Sequence, residues 1–340
     1  MTDRDHEIPV IDVGGLLAGR PAAAQEVAAE IRRACLDSGF FYISGHGVSE
    51  DLVAEAFEQN RRFHARPLAE KLEIKLNQWH RGYQPFATST LVSSARFAPA
   101  RHANQLESFF LRHEVPADEP GYLAQELAGP NQWPDDAGFR DVVGRYDAAL
   151  TSLGLGLLPA VALAVGEPAD FFDGFFDPPS TTLRLIHYPP MAADGSEELF
   201  GIHPHTDYGF LTILAQDAVG GLEVQRVDGG WFAAPPIPGT FVVNVGDILA
   251  RWTNDVFNST PHRVINRSPP RERYSIGMFF DPNVETVVRC LDGFVDRARP
   301  AKHAPIRYGD YFAKRLDANY PDRVGVGSAA REQPAGGAGS

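Results

Sequence analysis

Short apolar and β-branched runs, separated by turn residues, fill the chain between residues 178 and 285. Many short strands with turn signals between them are typical of a β-sandwich or a β-barrel. The sequence therefore predicts a β-rich core in the second half of the chain. The predicted strands are 181–188, 210–215, 221–226, 231–234, 241–245, 262–266 and 274–280.

The residues before this core are predicted to be mainly helical. Apolar side chains at helical spacing predict helices that begin near Pro21 and Ser49, and a long helix over 141–165. Residues 8–13 and 40–43 are the strands predicted in this half. The pattern contains no linker that would divide the chain into independent domains.

The segment 86–104 has little periodicity and is rich in Ser, Thr, Ala and Pro. Long loops in compact domains often cover a binding site, so the segment is either an ordered loop over a site or a mobile connector. Asn104 and Glu107 precede Phe109-Phe110 and could reach a pocket, but the simpler expectation for both is exposure to solvent.

A histidine and a carboxylate stand two residues apart at His205 and Asp207, just before the apolar run 210–214. In a strand, residues i and i+2 point the same way, so these two side chains are predicted to face one point. One imidazole and one carboxylate are two of the three ligands of a facial-triad iron(II) site. His203, two residues before His205, is an alternative ligand.

His262 is the candidate for the third ligand, 55 residues after Asp207 and at the start of its own predicted strand. Taken singly, such a histidine is more often structural, and it is the joint pattern that favours a ligand. Two imidazoles and a carboxylate leave up to three metal positions open, which suits iron(II) that binds a co-substrate and dioxygen. Zinc more often takes four protein ligands, or three with a water.

An arginine and a serine two residues apart, Arg273 and Ser275, are predicted to share one strand face. A guanidinium fork beside a hydroxyl suits a carboxylate, because the hydrogen bonds are charge-assisted and can be bidentate. In strand 181–188, Arg184 and Tyr188 also share a face, and Tyr188 is expected to add a hydrogen bond to an anionic ligand. The pattern predicts a co-substrate held by the metal at one end and by Arg273 at the other.

These residues, in this order and at this spacing, resemble the iron(II)/2-oxoglutarate-dependent dioxygenases, and within them the isopenicillin N synthase-like branch. The resemblance extends from about residue 8 to about residue 325. It implies a mostly β fold with flanking helices (α+β), built on a double-stranded β-helix or jelly-roll core. The motifs that carry it are His205-Thr206-Asp207, His262 and Arg273-Tyr274-Ser275, supported by 8–12, 38–47, 81–83 and 244–247.

The resemblance also implies the roles of the site residues. Iron(II) would be held by His205, Asp207 and His262. Arg273 and Ser275, helped by Tyr188, would bind the C5 carboxylate of 2-oxoglutarate. The chain would then divide into an N-terminal helical or mixed region (1–177), the jelly-roll core (178–285), a helical extension (286–324) and a disordered tail (325–340).

The implied activity is that of an oxygenase, an oxidoreductase that consumes dioxygen and converts 2-oxoglutarate to succinate and carbon dioxide, with ascorbate as a candidate stimulant. Hydroxylation of a small organic molecule is the expected outcome, and desaturation or cyclisation depends on how the substrate is positioned. Two alternatives stay open: a 2-oxoglutarate-independent iron oxidase of the isopenicillin N synthase or ethylene-forming type, and a non-catalytic binding protein. Intact ligands and an intact carboxylate site count against the second.

Three residues are weaker candidates for contact with the substrate: Arg184, Phe210 and Phe279. The plainer interpretation of Arg184 is a salt-bridge partner on the strand surface, and that of the two phenylalanines is the apolar core. The substrate itself stays open among amino acids, nucleobases, peptides, terpenoids and phenolics.

The composition limits the partners and the compartment. A net charge of −13 argues against a nucleic-acid partner and against an anionic membrane surface. Two cysteines, Cys35 and Cys290, are too few for a disulfide framework and favour a reducing compartment. With no signal-peptide pattern and no apolar run of about 18 residues, a cytoplasmic protein is expected, as a monomer or weak homodimer.

Overall fold

A computed structural model describes residues 8–90, 100–114, 127–190, 199–266 and 271–320. The tail predicted to be disordered, 325–340, lies outside the described residues, as does the middle of the segment 86–104. The helices are α1 (Gly14–Leu17), α2 (Ala23–Leu36), α3 (Glu50–His64), α4 (Leu68–Glu73), α5 (Ala137–Val165), α6 (Asp247–Trp252) and α7 (Tyr308–Asn319).

The strands confirm the β-rich core that the sequence predicts. In chain order they are β1 (Val10–Asp12), β2 (Phe40–Ser44), β3 (Gly82–Gln84), β4 (Glu107–Arg112), β5 (Ser180–Tyr188), β6 (Ile202–His205), β7 (Leu211–Gln216), β8 (Leu222–Gln225), β9 (Trp231–Ala233), β10 (Phe241–Val245), β11 (His262–Val264), β12 (Arg273–Asp281), β13 (Val287–Val288) and β14 (Ile306–Arg307).

Two sheets face each other and form the jelly-roll core. The larger has the strand order β1-β2-β10-β7-β12-β5-β4-β3, and the smaller has the order β6-β11-β8-β9. Neighbours are antiparallel except β1 and β2, which are parallel. One face of the larger sheet packs on helices, and a second apolar cluster lies between the sheets.

Strand β12 shows how alternation separates packing from function. Tyr274, Ile276, Met278 and Phe280 belong to the core that packs against the helices. The residues on the other face of the strand point between the two sheets, and they are Arg273, Ser275, Gly277 and Phe279. Arg273 is only 1% exposed. Because both faces are buried, the strand lacks the polar–apolar alternation of a surface strand, and its polar residues stand out as candidates for function.

Helix α5 packs across the outer face of the larger sheet. Its first turn is capped by Asp136, whose Oδ1 accepts the backbone N–H of Phe139 at 3.1 Å. A side chain at Gly154 would collide with the ring of Phe280, so this glycine allows the helix to pack closely on β12. By length and composition α5 could cross a membrane, contrary to the sequence expectation, but more than half of its most apolar stretch is buried in the protein.

Among the strands that the sequence does not predict, β3 and β4 extend the larger sheet with residues from the N-terminal half. Every residue of both strands is buried. The expectation that Glu107 would be exposed is wrong, since it is 6% exposed, and Asn104 is 2% exposed. The N-terminal region is therefore part of the sheet that carries the site.

Candidate active site

The two candidate histidine ligands meet across a strand ladder. His205 ends β6, His262 begins β11, and the two are direct partners in the antiparallel pairing of these strands. Directly opposed residues hold their side chains close together, and here the ring centroids are 4.2 Å apart. Residues that are far apart in sequence thus become neighbours on the smaller sheet.

Asp207 joins them from beyond the end of the strand. Because β6 stops at His205, the alternation rule behind the sequence prediction does not apply to Asp207. Its backbone oxygen instead accepts the N–H of Asp247 at 2.8 Å. The carboxylate Oδ1 lies 3.7 Å from Nε2 of His205 and 3.7 Å from Nε2 of His262.

These three residues are the one group of His, Cys, Asp or Glu side chains, within the described part of the chain, whose donor atoms could share a metal ion. The three donor atoms lie within 4.8 Å of one another. His203, the alternative ligand, is not in the group: its Nδ1 lies 2.9 Å from Oδ1 of Asn104.

Backbone carbonyl oxygens determine the tautomer of both imidazoles. Nδ1 of His205 lies 2.8 Å from the oxygen of His203, and Nδ1 of His262 lies 3.2 Å from the oxygen of Thr260. A carbonyl oxygen only accepts, so each Nδ1 carries a hydrogen, and in the neutral ring the lone pair is then on Nε2. The Nε2 atoms of His205 and His262 both face the carboxylate of Asp207. A metal ion between the three side chains would need lone pairs at these positions.

The carboxylate of Asp207 is oriented by donors from the larger sheet. Thr212 Oγ1 donates to Oδ2 at 2.6 Å, and Asn244 Nδ2 donates to the same oxygen at 2.7 Å. Burial raises the pKa of Asp207, but His262, His205 and these two hydrogen bonds outweigh it and hold the pKa below its ordinary value. With Oδ2 engaged, Oδ1 is left toward the imidazoles.

His205 is neutral at physiological pH. Burial lowers the pKa of His205 to about 3, and the neighbouring His262 lowers it further than Asp207 raises it. A neutral imidazole beside an ionised carboxylate is the protonation state in which these groups bind a metal. The donor set and its protonation therefore fit iron(II).

Arg273, Ser275 and Tyr188 lie together, as predicted. Arg273 and Tyr188 are cross-strand partners, and the guanidinium lies over the phenol ring at 4.6 Å. Nη1 of Arg273 donates to Ser275 Oγ at 3.3 Å, and its Nε donates to the oxygen of Gly220 at 2.5 Å. Tyr188 thus contacts Arg273 with its ring face, an arrangement that the sequence prediction did not include.

A buried polar network, missed by the sequence analysis, lies on the other face of these strands. Glu107 accepts Lys71 Nζ at 2.8 Å, lies 2.8 Å from His187 Nδ1, and also accepts the hydroxyl of Tyr83. Burial raises the pKa of Glu107, but the hydrogen bond with His187 and the other partners lower it to about 2. The His187 ring stacks on Tyr274, next to Arg273, so the network supports the strands behind the candidate carboxylate site.

A cavity of ≈ 620 Å³, counted with its open mouth, lies beside the triad. Two of the three weaker substrate candidates, Arg184 and Phe279, line it. The lining residues are His80, Phe110, Thr182, Arg184, Ile202, His205, Thr206, Asp207, Tyr208, Gly209, Phe279, Asp281, Phe312, Leu316 and Tyr320.

Phe210 lies in the core instead. Its side chain is 0% exposed, and its ring centroid is 5.1 Å from that of Phe172 and 4.9 Å from that of Phe176. The turn after Asp207 directs this ring away from the cavity into the layer between sheet and helices. The structure therefore does not bring Phe210 to the substrate.

Arg184 is held by neutral groups rather than by a carboxylate. Nε donates to Ser108 Oγ at 3.1 Å, and Nη2 donates to Gln84 Oε1 at 3.1 Å. Among the residues that the structure describes, no Asp or Glu forms a salt bridge with it. The salt-bridge interpretation of Arg184 therefore has no support.

The C-terminal helix α7 supplies a wall of the cavity that the sequence analysis missed. Phe312 and Leu316 line the cavity at the i, i+4 spacing of one helix face, a signal that was readable in the sequence. Tyr308 at the start of the helix donates to Asp281 Oδ2 at 2.6 Å, and the N–H of Phe210 donates to Oδ1 of the same residue at 2.7 Å. The helix is thus joined to the turn that follows Asp207.

Helix α7 is also joined to the segment before His262. Tyr311 donates to Asp247 Oδ2 at 3.1 Å, and Ser259 Oγ donates to Asp247 Oδ1 at 2.7 Å. Near the end of the helix, Asn319 Nδ2 donates to the hydroxyl of Tyr208. These contacts link one helix to both segments that carry the candidate metal ligands.

Two protein families match this chain. Residues 8–136 match the family described as the non-haem dioxygenase in morphine synthesis N-terminal region, and residues 179–282 match the 2OG-Fe(II) oxygenase superfamily. The second match contains the three candidate ligands and the Arg273–Ser275 pair.

Characterised relatives match over most of the chain. A 2-oxoglutarate-Fe(II) type oxidoreductase (hxnY) of Emericella nidulans is 35% identical over 89% of this chain and 87% of its own length. A homoarginine-6-hydroxylase of Arabidopsis thaliana is 35% identical over 95% of this chain and 92% of its own length.

The fold matches a solved structure as well. A full-length Neurospora crassa protein, crystallised in complex with alpha-KG and thymine, superposes with a TM-score of 0.81 at 30% identity, covering 94% of this chain and 98% of that one. The sequence matches, the match in fold and the chemistry of the three candidate metal ligands all indicate the same superfamily. This chain belongs to the 2-oxoglutarate- and iron(II)-dependent oxygenase superfamily.

Proposed function

We propose that His205, Asp207 and His262 hold the iron(II) of this enzyme, and that Arg273 and Ser275 bind the C5 carboxylate of 2-oxoglutarate. The observation that carries the metal assignment is the pair of fixed tautomers. Both imidazoles turn an Nε2 lone pair toward one carboxylate oxygen, at 3.7 Å from each. Two histidines with a purely structural role would not require both Nε2 atoms to face the same carboxylate oxygen.

The carboxylate site is supported by the contacts of Arg273. Its Nε is engaged by Gly220, and its Nη1 edge faces Ser275. A carboxylate placed there would receive charge-assisted hydrogen bonds from the guanidinium and one from the hydroxyl. The Tyr188 ring under the guanidinium fixes the plane of that fork.

When bound, iron(II) supplies the activation of dioxygen that couples conversion of 2-oxoglutarate to succinate and carbon dioxide with oxidation of the substrate. The protein's own part is orientation. Asp207 and the two imidazoles would hold the metal, and Arg273 would hold the distal carboxylate of the co-substrate. The aromatic walls of the cavity, Phe110, Phe279 and Phe312, keep water from the reacting groups.

Arg184 and Phe279 are proposed as substrate contacts, because both line the cavity that also exposes His205 and Asp207. Hydroxylation is the proposed outcome, with desaturation or cyclisation set by which substrate C–H bond faces the metal. The relatives named as 2-oxoglutarate-Fe(II) type oxidoreductases, and the structural neighbour crystallised with alpha-KG, favour this oxygenase over a 2-oxoglutarate-independent oxidase and over a non-catalytic binder on the same fold.

We further propose a cytoplasmic enzyme, monomeric or weakly dimeric, without a nucleic-acid or membrane partner. The net charge of −13, the free and buried Cys35 and Cys290, and the burial of α5 support this. Residues 178–285 would be the catalytic core, with 1–177 and 286–324 packed on it. Analytical ultracentrifugation tests the oligomeric state.

Succinate release from 2-oxoglutarate under air, with added iron(II) and ascorbate, tests the function. Release that depends on iron and increases with compounds from a metabolite panel supports it. Purified protein that binds neither iron nor 2-oxoglutarate would refute the site assignment.

A further inference from the structure

We infer that the substrate is an organic acid whose carboxylate binds in one corner of the cavity, formed by His80, Phe110, Arg184 and Tyr320. This corner, called here the acid corner, deepens the proposed function and rests on it. It adds the chemical class of the substrate and two recognition residues, His80 and Tyr320.

The guanidinium of Arg184 supplies the charge. Its two engaged nitrogens, Nε and Nη2, donate to neutral oxygens of Ser108 and Gln84, and Nη1 makes no hydrogen bond within the described residues. A partly buried cation without a carboxylate partner is costly, and an anion that enters the cavity offsets this cost. Arginine binds carboxylates with charge-assisted, directional hydrogen bonds.

The position of Arg184 is set in advance by neighbouring strands. Ser108 Oγ donates to Gln84 Oε1 at 2.9 Å, so Arg184, Ser108 and Gln84 form a closed set of three hydrogen bonds. Ser108 is 0% exposed and Gln84 is 2% exposed. The guanidinium also lies over the ring of its cross-strand partner Phe110 at 4.8 Å. A preorganised donor binds with less loss of entropy than a mobile side chain.

His80 reaches the same corner from the turn before β3. Its ring centroid lies 4.7 Å from that of Phe110 and 4.5 Å from that of Tyr320. Its backbone is left-handed, with φ of 60°, and the turn is held by Asn77, whose oxygens accept the N–H groups of His80, Trp79 and Arg81. Residues kept in this strained conformation cluster at active sites and ligand clamps.

The other charges of the cavity favour an acid over an amine. The carboxylates that line it are Asp207 and Asp281. Asp207 belongs to the metal site, and both oxygens of Asp281 accept hydrogen bonds, from Phe210 N–H and the Tyr308 hydroxyl. Neither is available to a substrate cation, whereas Arg184 offers open donors.

The test uses phenylacetate and its uncharged analogue phenylacetamide as probes. Their small apolar ring suits the walls formed by Phe279, Phe312 and Leu316. Mn(II) replaces iron to prevent turnover, 2-oxoglutarate is kept saturating so that the Arg273 site is filled, and paramagnetic relaxation of the probe protons reports binding close to the metal.

We expect the Mn(II)-loaded wild-type protein to relax the protons of phenylacetate. The Kd for phenylacetate should be at least about tenfold lower than the Kd for phenylacetamide, because one charge-assisted hydrogen bond contributes a difference of this size. Arg184→Gln should remove this preference, and Arg184→Lys should restore part of it. Direct chelation of Mn(II) by the probe would persist in Arg184→Gln, so this variant separates the two. Arg145→Gln, at an exposed arginine on α5, is the matched control and should behave as wild type.

Equal binding of acid and amide by the wild type, absence of relaxation for both, or unchanged acid binding in Arg184→Gln would overturn the acid corner. In each of these cases Mn(II) and 2-oxoglutarate would still bind, and the proposed function would stand. Loss of Mn(II) or 2-oxoglutarate binding by the wild type would instead refute the proposed function, and the acid corner with it.

Discussion

His205 and His262 face each other across the β6–β11 ladder, with their ring centroids 4.2 Å apart and their Nδ1 atoms turned to backbone carbonyls. Strand pairing brings the residues together, and the carbonyls decide which nitrogen is free. The backbone of these segments thus positions the two histidines of the candidate metal site, while side chains of the larger sheet orient Asp207.

Removal of one imidazole should abolish tight iron binding. His262→Ala leaves two ligands, too few to compete with water for iron(II). Iron content after anaerobic reconstitution, measured by inductively coupled plasma mass spectrometry, should fall from one ion per chain to near zero. His303→Ala, at a histidine paired with Asp255 away from the cavity, should retain iron. Full iron content in His262→Ala would refute the ligand assignment.

The carboxylate site should be separable from the metal. Arg273→Ala removes the guanidinium but leaves all three metal ligands, so iron binding should be preserved. The Kd for 2-oxoglutarate, measured by calorimetry under nitrogen, should rise several-fold or more because a charge-assisted pair is lost. An unchanged Kd would mean that Arg273 does not bind the co-substrate.

The donors to Asp207 should tune metal affinity. Thr212→Val keeps the shape of the side chain but removes the hydroxyl that donates to Asp207 Oδ2. Loss of such a partner typically lowers metal affinity by about 10–100-fold. Competition with a fluorescent chelator measures this change. Thr240→Val, where the hydroxyl bonds an exposed carbonyl, is the control and should have no effect; equal affinities in the two variants would contradict the role given to Thr212.

Phe210 and Phe279 should respond differently to truncation. Phe210→Ala opens a hole in the core and should cost about 3–5 kcal/mol of unfolding free energy. Phe279→Ala removes a cavity wall, so it should cost less stability and change the response of succinate release to added substrates. Urea unfolding and the succinate assay measure the two effects. A larger loss of stability in Phe279→Ala would reverse the assignment.

Asp281 should make stability depend on pH. Burial raises the pKa of Asp281 from 3.8 to about 6, although the Tyr308 hydroxyl and the Phe210 N–H lower it. Between these values the native state holds more protons than the unfolded state, so the contribution of Asp281 to stability is present below about pH 4 and is lost as the pH rises through 6. The full loss is about 3 kcal/mol.

Asp281→Asn removes this ionisation. The difference in unfolding free energy between the variant and the wild type should therefore move in favour of the variant, by up to about 3 kcal/mol, as the pH rises from 4 to 7. A difference that is constant with pH would mean that Asp281 titrates normally.

The sequence predicted the parts of the site that are local. His205, Asp207, His262, Arg273 and Ser275 could be found because each lies in a short motif next to a strand with a clear apolar pattern. Strand alternation nevertheless does not place Asp207, since β6 ends two residues earlier and hydrogen bonds from other strands orient the carboxylate.

The parts that were missed depend on contacts between distant segments. Glu107 is buried by partners from α4, β3 and β5, and no local pattern marks a charged residue that finds such partners. His80 faces the cavity because a turn at Asn77 gives it a left-handed backbone, which residue type alone does not predict. For Phe210 the plainer interpretation, the apolar core, is confirmed, and its weaker candidacy as a substrate contact is wrong because the turn after Asp207 decides which layer receives its ring.

The most direct test of the central claim is iron-dependent succinate formation by the wild-type protein and by Asp207→Ala, measured together with bound iron. We predict one iron per wild-type chain, succinate formed in step with 2-oxoglutarate consumed, and loss of both iron and succinate in Asp207→Ala. Wild-type protein without iron or turnover across a broad substrate panel, or an Asp207→Ala variant that keeps both, would contradict the account.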